Sequence, residues 1–243
     1  MKGIVFFFIL AYNFLYAQNI ISNVQNCFVQ DYYMLFIKEN TLNLINLEQK
    51  ETYTYNDFVL SSIIDIYSNN GFLNTILTEQ QIILLDNKLT VIKKIQIPNT
   101  IIKPWQIVIE SAHYIWIYDS FENKLIKINT TNEKIIFSLL LNNYCNSILE
   151  MIYKQNKVYF LCEKALFSLD YLYNINMEIN IQASDFIFYK NQILFLVNGQ
   201  IQNRKGQILS NAKEITKLFG YHKGALLINR SDTCQWIKLN INK

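Results

Sequence analysis

Short apolar runs recur along the chain and are separated by polar turns. The stretch YIWIYDSFENKLIKINTTNEKIIF, residues 114–137, contains three such runs with two turns between them. The runs are contiguous or alternate with polar residues, without the sustained i, i+3, i+4, i+7 spacing of an amphipathic helix. They are rich in Ile, Tyr and Phe, which favour strands. The pattern therefore predicts an all-β protein.

The runs also form a repeat. Six segments align with one another, and successive segments begin 39, 42, 43, 35 and 32 residues apart. Each is preceded by one strand-like run and followed by another, and the first four repeats carry a further run. This period is typical of the four-stranded blades of a β-propeller. We number the repeats units one to six; the aligned segments are YMLFI (33–37), FLNTIL (72–77), YIWIY (114–118), KVYFLC (157–162), QILFLV (192–197) and GALLIN (224–229).

The last two units lack a clear fourth strand. In unit five it is faint, near residues 208–215, and none follows the third strand of unit six. A propeller has to close, because an exposed strand edge promotes aggregation. We therefore expect residues 19–24 (NIISNV) to provide the outer strand of unit six.

This layout resembles that of six-bladed β-propellers of secreted bacterial proteins, and the likeness extends over a single domain of residues 18–243. No WD dipeptide, kelch double glycine, YWTD-type box or Asp-box is present. The resemblance consequently implies a fold and not an activity. A β-sandwich or an irregular β-barrel is the alternative fold.

The N-terminus has the features of a secretory signal peptide. Lys2 precedes an apolar run over residues 3–12, and Leu15-Tyr16-Ala17 provides a cleavage site after Ala17. The run is shorter than the roughly 20 apolar residues that span a bilayer. We expect residues 1–17 to be removed, leaving an exported protein, periplasmic or extracellular, with no transmembrane segment.

Four cysteines follow the predicted cleavage site, and four cysteines allow three pairings. The propeller layout places Cys27 and Cys234 at one edge of unit six, and Cys145 beside Cys162 in unit four. Disulfides Cys27–Cys234 and Cys145–Cys162 are therefore predicted, consistent with an oxidising compartment. Four buried free thiols are the alternative.

Charge and motif content exclude several classes of function. The chain has 22 Lys and Arg against 19 Asp and Glu, without a basic cluster, which argues against nucleic-acid binding. No Ser/His/Asp arrangement, phosphate-binding glycine loop, CxxC spacing or DxDxDG loop is present. The sequence predicts no catalytic residue, metal or cofactor.

Two sets of residues are candidates for binding on one face of the ring. Acidic residues recur in the turns between second and third strands, where they could form a rim for a cation or a basic partner; solvated turns are the alternative. Trp105 and Tyr144, in connections between units, offer aromatic contact area. The acidic residues are Glu39, Glu79, Glu122, Glu163 and Asp232.

The leading functional hypothesis is a non-catalytic module that binds a protein or peptide partner, or acts as a scaffold, through this face. A hydrolase or lyase with a carboxylate-lined central channel is the second hypothesis. A carbohydrate-binding surface protein is the third, supported if Trp105 and Tyr144 are exposed and coplanar. The carboxylates offered by the first strands are Asp31, Asp65, Glu110, Glu150 and Asp185.

Overall fold

The described part of the chain is built from β-strands in a propeller-like arrangement. The computed structural model describes residues 26–30, 32–38, 40–57, 62–69, 71–210, 212–230 and 233–239. These residues form 22 strands, and none of their segments is a helix able to cross a membrane. The all-β prediction is confirmed.

The described strands form five sheets, and the largest, of seven strands, contains the strands of units six and one. Units one and two contain β1 (Cys27–Gln30), β2 (Tyr33–Lys38), β3 (Thr41–Asn46), β4 (Thr52–Tyr55), β5 (Ile63–Asn69), β6 (Leu73–Thr78), β7 (Gln81–Leu85) and β8 (Val91–Gln96). Units three and four contain β9 (Pro104–Ser111), β10 (Tyr114–Asp119), β11 (Lys124–Asn129), β12 (Lys134–Leu140), β13 (Glu150–Lys154), β14 (Lys157–Leu161), β15 (Ala165–Leu169) and β16 (Ile175–Asn180). Units five and six contain β17 (Asp185–Tyr189), β18 (Gln192–Val197), β19 (Gln200–Asn203), β20 (Ile215–His222), β21 (Ala225–Arg230) and β22 (Thr233–Lys238).

Burial explains the two kinds of apolar pattern. The second strand of unit three, β10, is buried at nearly every position, whereas the outer strand β12 alternates between exposed and partly buried residues. A strand with neighbours over both of its faces excludes polar side chains from both, so its sequence becomes a continuous apolar run. An outer strand keeps one face in water and alternates.

The core lies between units and follows a ring. Separate apolar clusters join units one and two, units two to four, units four and five, units five and six, and units six and one. The first strands contact each other in the same cyclic order, β1, β5, β9, β13, β17, β20 and again β1. Units six and one share a sheet through one parallel pair, Val29 with Gly220. The first strands therefore surround a central channel.

Unit five differs from the predicted four-stranded pattern. After β19, Ile208 forms only an isolated bridge with Gln202. Leu209 then turns inward and is buried, with its N–H donated to the carbonyl of Ile201. No alternating run follows Leu209 that could form a regular outer strand. The predicted closing strand, residues 19–24, lies outside the described residues.

Candidate binding face

Two sets of connections lie on the same face of the ring, which we call the upper face. Antiparallel strands alternate in direction, so the connections between units and the turns between second and third strands emerge on one side. Four of the predicted site residues belong to these connections: Glu79, Glu122, Tyr144 and Glu163. Trp105, which was predicted in a connection between units, is instead the second residue of β9, at the upper end of that strand. Glu39 and Asp232 lie outside the described residues.

The structure brings two of these residues together. Cys145 and Cys162 form a disulfide with a Cα–Cα distance of 5.7 Å. It joins the connection between β12 and β13 to the turn between β14 and β15. Tyr144 and Glu163 each adjoin one of these cysteines, and both line a cavity of about 170 Å³, which we call the upper cavity. Its lining residues are Asn142, Asn143, Tyr144, Cys145, Asn146, Cys162, Glu163, Lys164, Ala165 and Phe167.

The other predicted residues do not line this cavity. Glu79 is exposed on the corresponding turn of unit two. Glu122 forms an ion pair with Lys124 at 3.0 Å, as expected of a solvated turn. No contact among the described residues joins these glutamates into a continuous acidic rim.

Asn123 holds the connection that carries Tyr144. Its side-chain amide donates hydrogen bonds to the carbonyl of Cys145 at 2.8 Å and to Oδ1 of Asn142 at 2.9 Å. Its Oδ1 accepts a hydrogen bond from the hydroxyl of Tyr118 at 3.0 Å. Together with the disulfide, this buried amide fixes one wall of the upper cavity.

Five exposed apolar side chains lie on neighbouring segments at the upper face of units three and four. We call these five residues, Ile102, Trp105, Phe121, Tyr144 and Leu149, the apolar patch. They are between 36% and 67% exposed. The segments that carry them, the upper end of β9 and the neighbouring connections, are joined by three hydrogen bonds: Ser120 N–H to the Lys103 carbonyl, the Gln106 amide to the Leu149 carbonyl, and the Asn123 amide to the Cys145 carbonyl. An exposed apolar group of this kind commonly marks an interaction site.

Sequence reasoning found Trp105 and Tyr144 and missed the other three members of the patch. Phe121 stands in the polar turn DSFEN, where an apolar side chain has no neighbouring strand to cover it. An apolar residue in an otherwise polar turn was the feature of the sequence that could have identified Phe121. Ile102 and Leu149 border strands and look like ordinary strand residues.

The first strands place polar residues at equivalent positions near the upper end of the channel. In units two to six this residue pairs with the fifth residue of the second strand. In unit one Asn26 accepts a hydrogen bond from the corresponding residue, Ile37. We call this set the polar ring; its members are Asn26, Asp65, Gln106, Glu150, Asp185 and Lys217.

Two aspartates of the polar ring connect neighbouring first strands. Asp65 accepts hydrogen bonds from the backbone N–H groups of Ile66 and Ile107, both at 2.9 Å. Asp185 accepts them from Phe186 and Leu218, both at 2.8 Å. Each aspartate thus links its own strand to the first strand of the next unit.

Lys217 provides the positive charge of the polar ring. Its ammonium group forms an ion pair with Glu150 and lies 3.8 Å from Oδ2 of Asp185. Burial alone would lower the pKa of Lys217, but the charges of Glu150 and Asp185 raise it, so this residue remains protonated. Glu150 and Lys217 belong to different units, and their contact joins units four and six.

The other two carboxylates that the sequence predicted for the channel are not seen there. Asp31 lies outside the described residues. The proposal of Glu110 as a channel carboxylate is wrong, because Glu110 bonds Lys127 at 2.9 Å and the indole N–H of Trp116 at 2.7 Å. Glu110 lies four residues beyond the ring position of β9, where the buried Lys127 needs a counter-charge.

The polar ring is better suited to holding strands than to chemistry. The oxygens of Asp65 and Asp185 are occupied by backbone donors, and Glu150 is paired with Lys217. Further along the channel, Tyr67 donates its hydroxyl hydrogen to the Tyr153 carbonyl at 3.3 Å, beside a cavity of only about 50 Å³. Within the described ranges, no group of three His, Cys, Asp or Glu could hold a metal ion.

The polar ring predicts a dependence of stability on pH. Burial raises the pKa of Asp65 and of Asp185 to about 7, although backbone N–H groups and Lys217 oppose the shift. Unfolded aspartate has a pKa of about 3.9, so between these values the folded protein binds more protons than the unfolded chain. Stability is therefore highest below this window and falls as the pH rises through it. We expect the melting temperature to fall by roughly 10 °C between pH 5 and pH 8.

Thermal unfolding followed by circular dichroism tests this expectation. The variant Asp65→Asn removes one of the two titrations and should flatten the slope, whatever its effect on absolute stability. Asp86, Asp170 and Glu178, whose pKa values are lowered, titrate below this window. A melting temperature that rises between pH 5 and pH 8, or an unchanged slope in Asp65→Asn, would contradict the assignment.

Cys27 and Cys234 carry free thiols in the structure, so the second predicted disulfide is not formed there. Both side chains pack against the cluster between units six and one. Burial raises the pKa of both thiols, and the charge of Cys234 raises that of Cys27 further. Both thiols therefore lie beside the same apolar cluster, at the seam where the ring closes.

Comparisons with known proteins reveal the fold. No protein-family model and no curated protein sequence matches the chain. A solved structure of streptogramin B lyase matches with a TM-score of 0.61 and 10% identity, over 91% of this chain and 85% of that one. The extracellular domain of the putative one-component system BT4673 from B. thetaiotaomicron matches with a TM-score of 0.60 and 13% identity, over 90% and 34% of the two chains.

PorZ, a bacterial surface component of the type-IX secretion system of Porphyromonas gingivalis, matches with a TM-score of 0.58 and 14% identity. The match covers 90% of this chain and 32% of PorZ, so this chain spans about a third of PorZ and of the BT4673 structure. At identities this low the likeness concerns the fold alone. Together with the ring of strand groups, it identifies the fold of this chain as that of a β-propeller.

Proposed function

We propose that this chain is an exported six-bladed β-propeller that binds a protein or peptide partner through the upper face of units three and four. The observation that carries the proposal is the apolar patch. The segments that carry its five side chains are joined by hydrogen bonds, and the Cys145–Cys162 disulfide anchors the connection that carries Tyr144. A surface whose backbone is already fixed loses little conformational entropy on binding.

Six units are supported by the sequence repeat and by the cyclic order of contacts. Five interfaces between consecutive first strands, with the contact of β20 with β1, make a closed series of six. The shared sheet of units six and one rests on a single backbone pair, which is a seam and not an extra strand. Residues 19–24 would complete unit six by pairing with the open edge of β22.

Export is supported by two features. Residues 1–17 have the layout of a secretory signal peptide, and the structure contains a disulfide, which persists in oxidising compartments. Two of the similar folds belong to proteins described as a surface component and as an extracellular domain. The compartment would be the periplasm or the cell exterior.

The partner is more consistent with a protein or peptide than with nucleic acid. The patch is apolar and aromatic, and Trp and Tyr are enriched at protein interfaces. A surface that binds phosphates would need clustered Lys and Arg, and the patch residues supply none.

Capture from the envelope and secreted fractions of the native cell tests this proposal. The bait is the mature protein, compared with the double variant Trp105→Ala/Phe121→Ala. Removing two exposed aromatic side chains should weaken retention of a true partner by at least about tenfold, because such residues commonly dominate interface energies. Both side chains are at least half exposed, so the melting temperature should be nearly unchanged.

The matched control is Tyr171→Ala. Tyr171 is 74% exposed and lies in the turn between β15 and β16, on the face opposite the upper face. A protein retained by wild type and by Tyr171→Ala, but lost with the double variant, supports the proposal. Equal retention by all three baits, or no specifically retained protein, would refute it.

A further inference from the structure

The upper cavity has the size and the lining of a site for one sugar residue. Its volume of about 170 Å³ is smaller than the roughly 300–1,000 Å³ of sites for drug-sized ligands. A pocket of this size accommodates a single six-membered ring with its hydroxyl groups. It is too small for a folded peptide motif.

The lining offers hydrogen-bonding groups that no other part of the described protein uses. Within the described ranges, the side chains of Asn143, Asn146, Glu163 and Lys164 and the hydroxyl of Tyr144 form no hydrogen bond or ion pair. Amides both donate and accept, the carboxylate accepts and the ammonium group donates. This mixture matches hydroxyl groups, each of which donates and accepts.

The net charge and the aromatic rings of the cavity lining indicate which class of ligand would fit. The negative charge of Glu163 and the positive charge of Lys164 cancel, so the lining has no net charge and favours a neutral ligand. Tyr144 and Phe167 add two aromatic rings with centroids 6.0 Å apart at an interplanar angle of 75°. Such rings pack well against the C–H faces of a pyranose.

The cavity is also held in shape before a ligand arrives. The Cys145–Cys162 disulfide and the Asn123 amide fix the wall that carries Tyr144, and the carbonyl of Lys164 accepts a hydrogen bond from the N–H of Ile181. Fixed walls reduce the entropic cost of binding.

We infer that the upper cavity binds one hexose unit of a neutral glycan, with Glu163 and the asparagine amides bonding its hydroxyl groups and Tyr144 packing against its ring. This inference does not rest on a protein partner. It assigns a second ligand class to a neighbouring part of the upper face, which shares Tyr144 with the apolar patch but neither Trp105 nor Phe121.

The test uses three sugars as probes: methyl β-D-glucopyranoside, methyl α-D-mannopyranoside and N-acetyl-D-glucosamine. Saturation-transfer NMR detects contact between each sugar and the mature protein, and a titration of the best probe gives its affinity. We expect a dissociation constant of about 1 mM, which is typical of a ligand with so few non-hydrogen atoms. Glu163→Gln and Tyr144→Ala should each weaken binding about tenfold.

Two control variants match these changes. Glu79→Gln alters an exposed glutamate on the corresponding turn of unit two, and Tyr171→Ala removes an exposed tyrosine on the opposite face; both should bind the sugar like wild type. Asn143→Ala, at an exposed position, gives an independent reading if Tyr144→Ala loses its fold. Equal melting temperatures exclude unfolding as the cause.

Three results would overturn the inference. They are saturation transfer to none of the three sugars, affinities unchanged in Glu163→Gln and Tyr144→Ala, and binding of the peptide triglycine at those same residues in place of a sugar. If the sugar-binding test fails, the capture of a protein partner through Trp105 and Phe121 is unaffected, so each proposal can fail without the other.

Discussion

Replacing Gly220 with alanine should lower the free energy of unfolding by about 3 kcal/mol or more. Gly220 has a φ of 136°, and a Cβ atom there would lie only 1.8 Å from the carbonyl oxygen of Val29. The clashing atom belongs to the backbone of β1 and cannot rotate away. The strands must separate at the backbone pair that joins units six and one in the described part of the chain.

Urea unfolding of wild type and Gly220→Ala measures this loss. Gly206→Ala is the matched control, because Gly206 also has a positive φ, 75°, but a Cβ atom there meets nothing within 4 Å. The control isolates the cost of the left-handed backbone, about 1 kcal/mol. Equal losses in the two variants would mean that close approach of the two units contributes nothing to stability.

Much of this architecture could be predicted from sequence because the central strands have neighbours over both faces. The segment YIWIYD of β10 is buried almost throughout, and its apolar run marks the strand and its unit. The repeat of such runs then indicates a ring. Three members of the polar ring, Asp65, Glu150 and Asp185, were among the carboxylates predicted for the first strands, whereas Asn26, Gln106 and Lys217 were not.

The sequence was less informative where a polar residue is buried in the core. Lys127 is only 8% exposed, within a strand that reads as a mixture of apolar and charged residues. Its ammonium group lies 4.7 Å from the ring centre of Tyr114 and 5.2 Å from that of Trp116, and it pairs with Glu110. Nothing local in the sequence shows that Glu110 is used in this way.

The candidate site could also be predicted only in part, because some of its residues are brought together by tertiary contacts. Tyr144 and Glu163 come together because each adjoins a cysteine of one disulfide, and the sequence predicted that pairing. The apolar patch depends instead on which connections bond to each other. The bonds from Asn123 and Gln106 to the connection before β13 are tertiary contacts, which a pattern of apolar residues does not specify.

Oxidising the free thiols Cys27 and Cys234 to a disulfide should raise the free energy of unfolding by about 4 to 5 kcal/mol in the chain-entropy model. The crosslink would join units one and six at the seam, closing a loop that contains most of the chain. Oxidised glutathione is the oxidant: one cysteine thiolate attacks its disulfide, which releases one reduced glutathione and forms a mixed disulfide. The second cysteine thiolate attacks this mixed disulfide and releases the other reduced glutathione, so the two glutathione thiols carry away the two electrons and two protons.

The reaction should be slow at neutral pH. Burial raises the pKa of both thiols, so little of the reactive thiolate is present, and the rate should increase as the pH rises. A non-reducing peptide map, followed by mass spectrometry, identifies the linked peptides at each time point. Urea unfolding of the same samples gives the gain in stability.

The variant Cys234→Ser is the control, because it keeps the Cys145–Cys162 disulfide and cannot form the second one. Its stability should not change with glutathione treatment. Peptides linking Cys27 to Cys145 or Cys162 would contradict the placement of unit one beside unit six. If Cys27 and Cys234 stay unlinked at high pH, the sulfur atoms are too far apart to bond, and the seam depends on Val29 and Gly220 without a covalent lock.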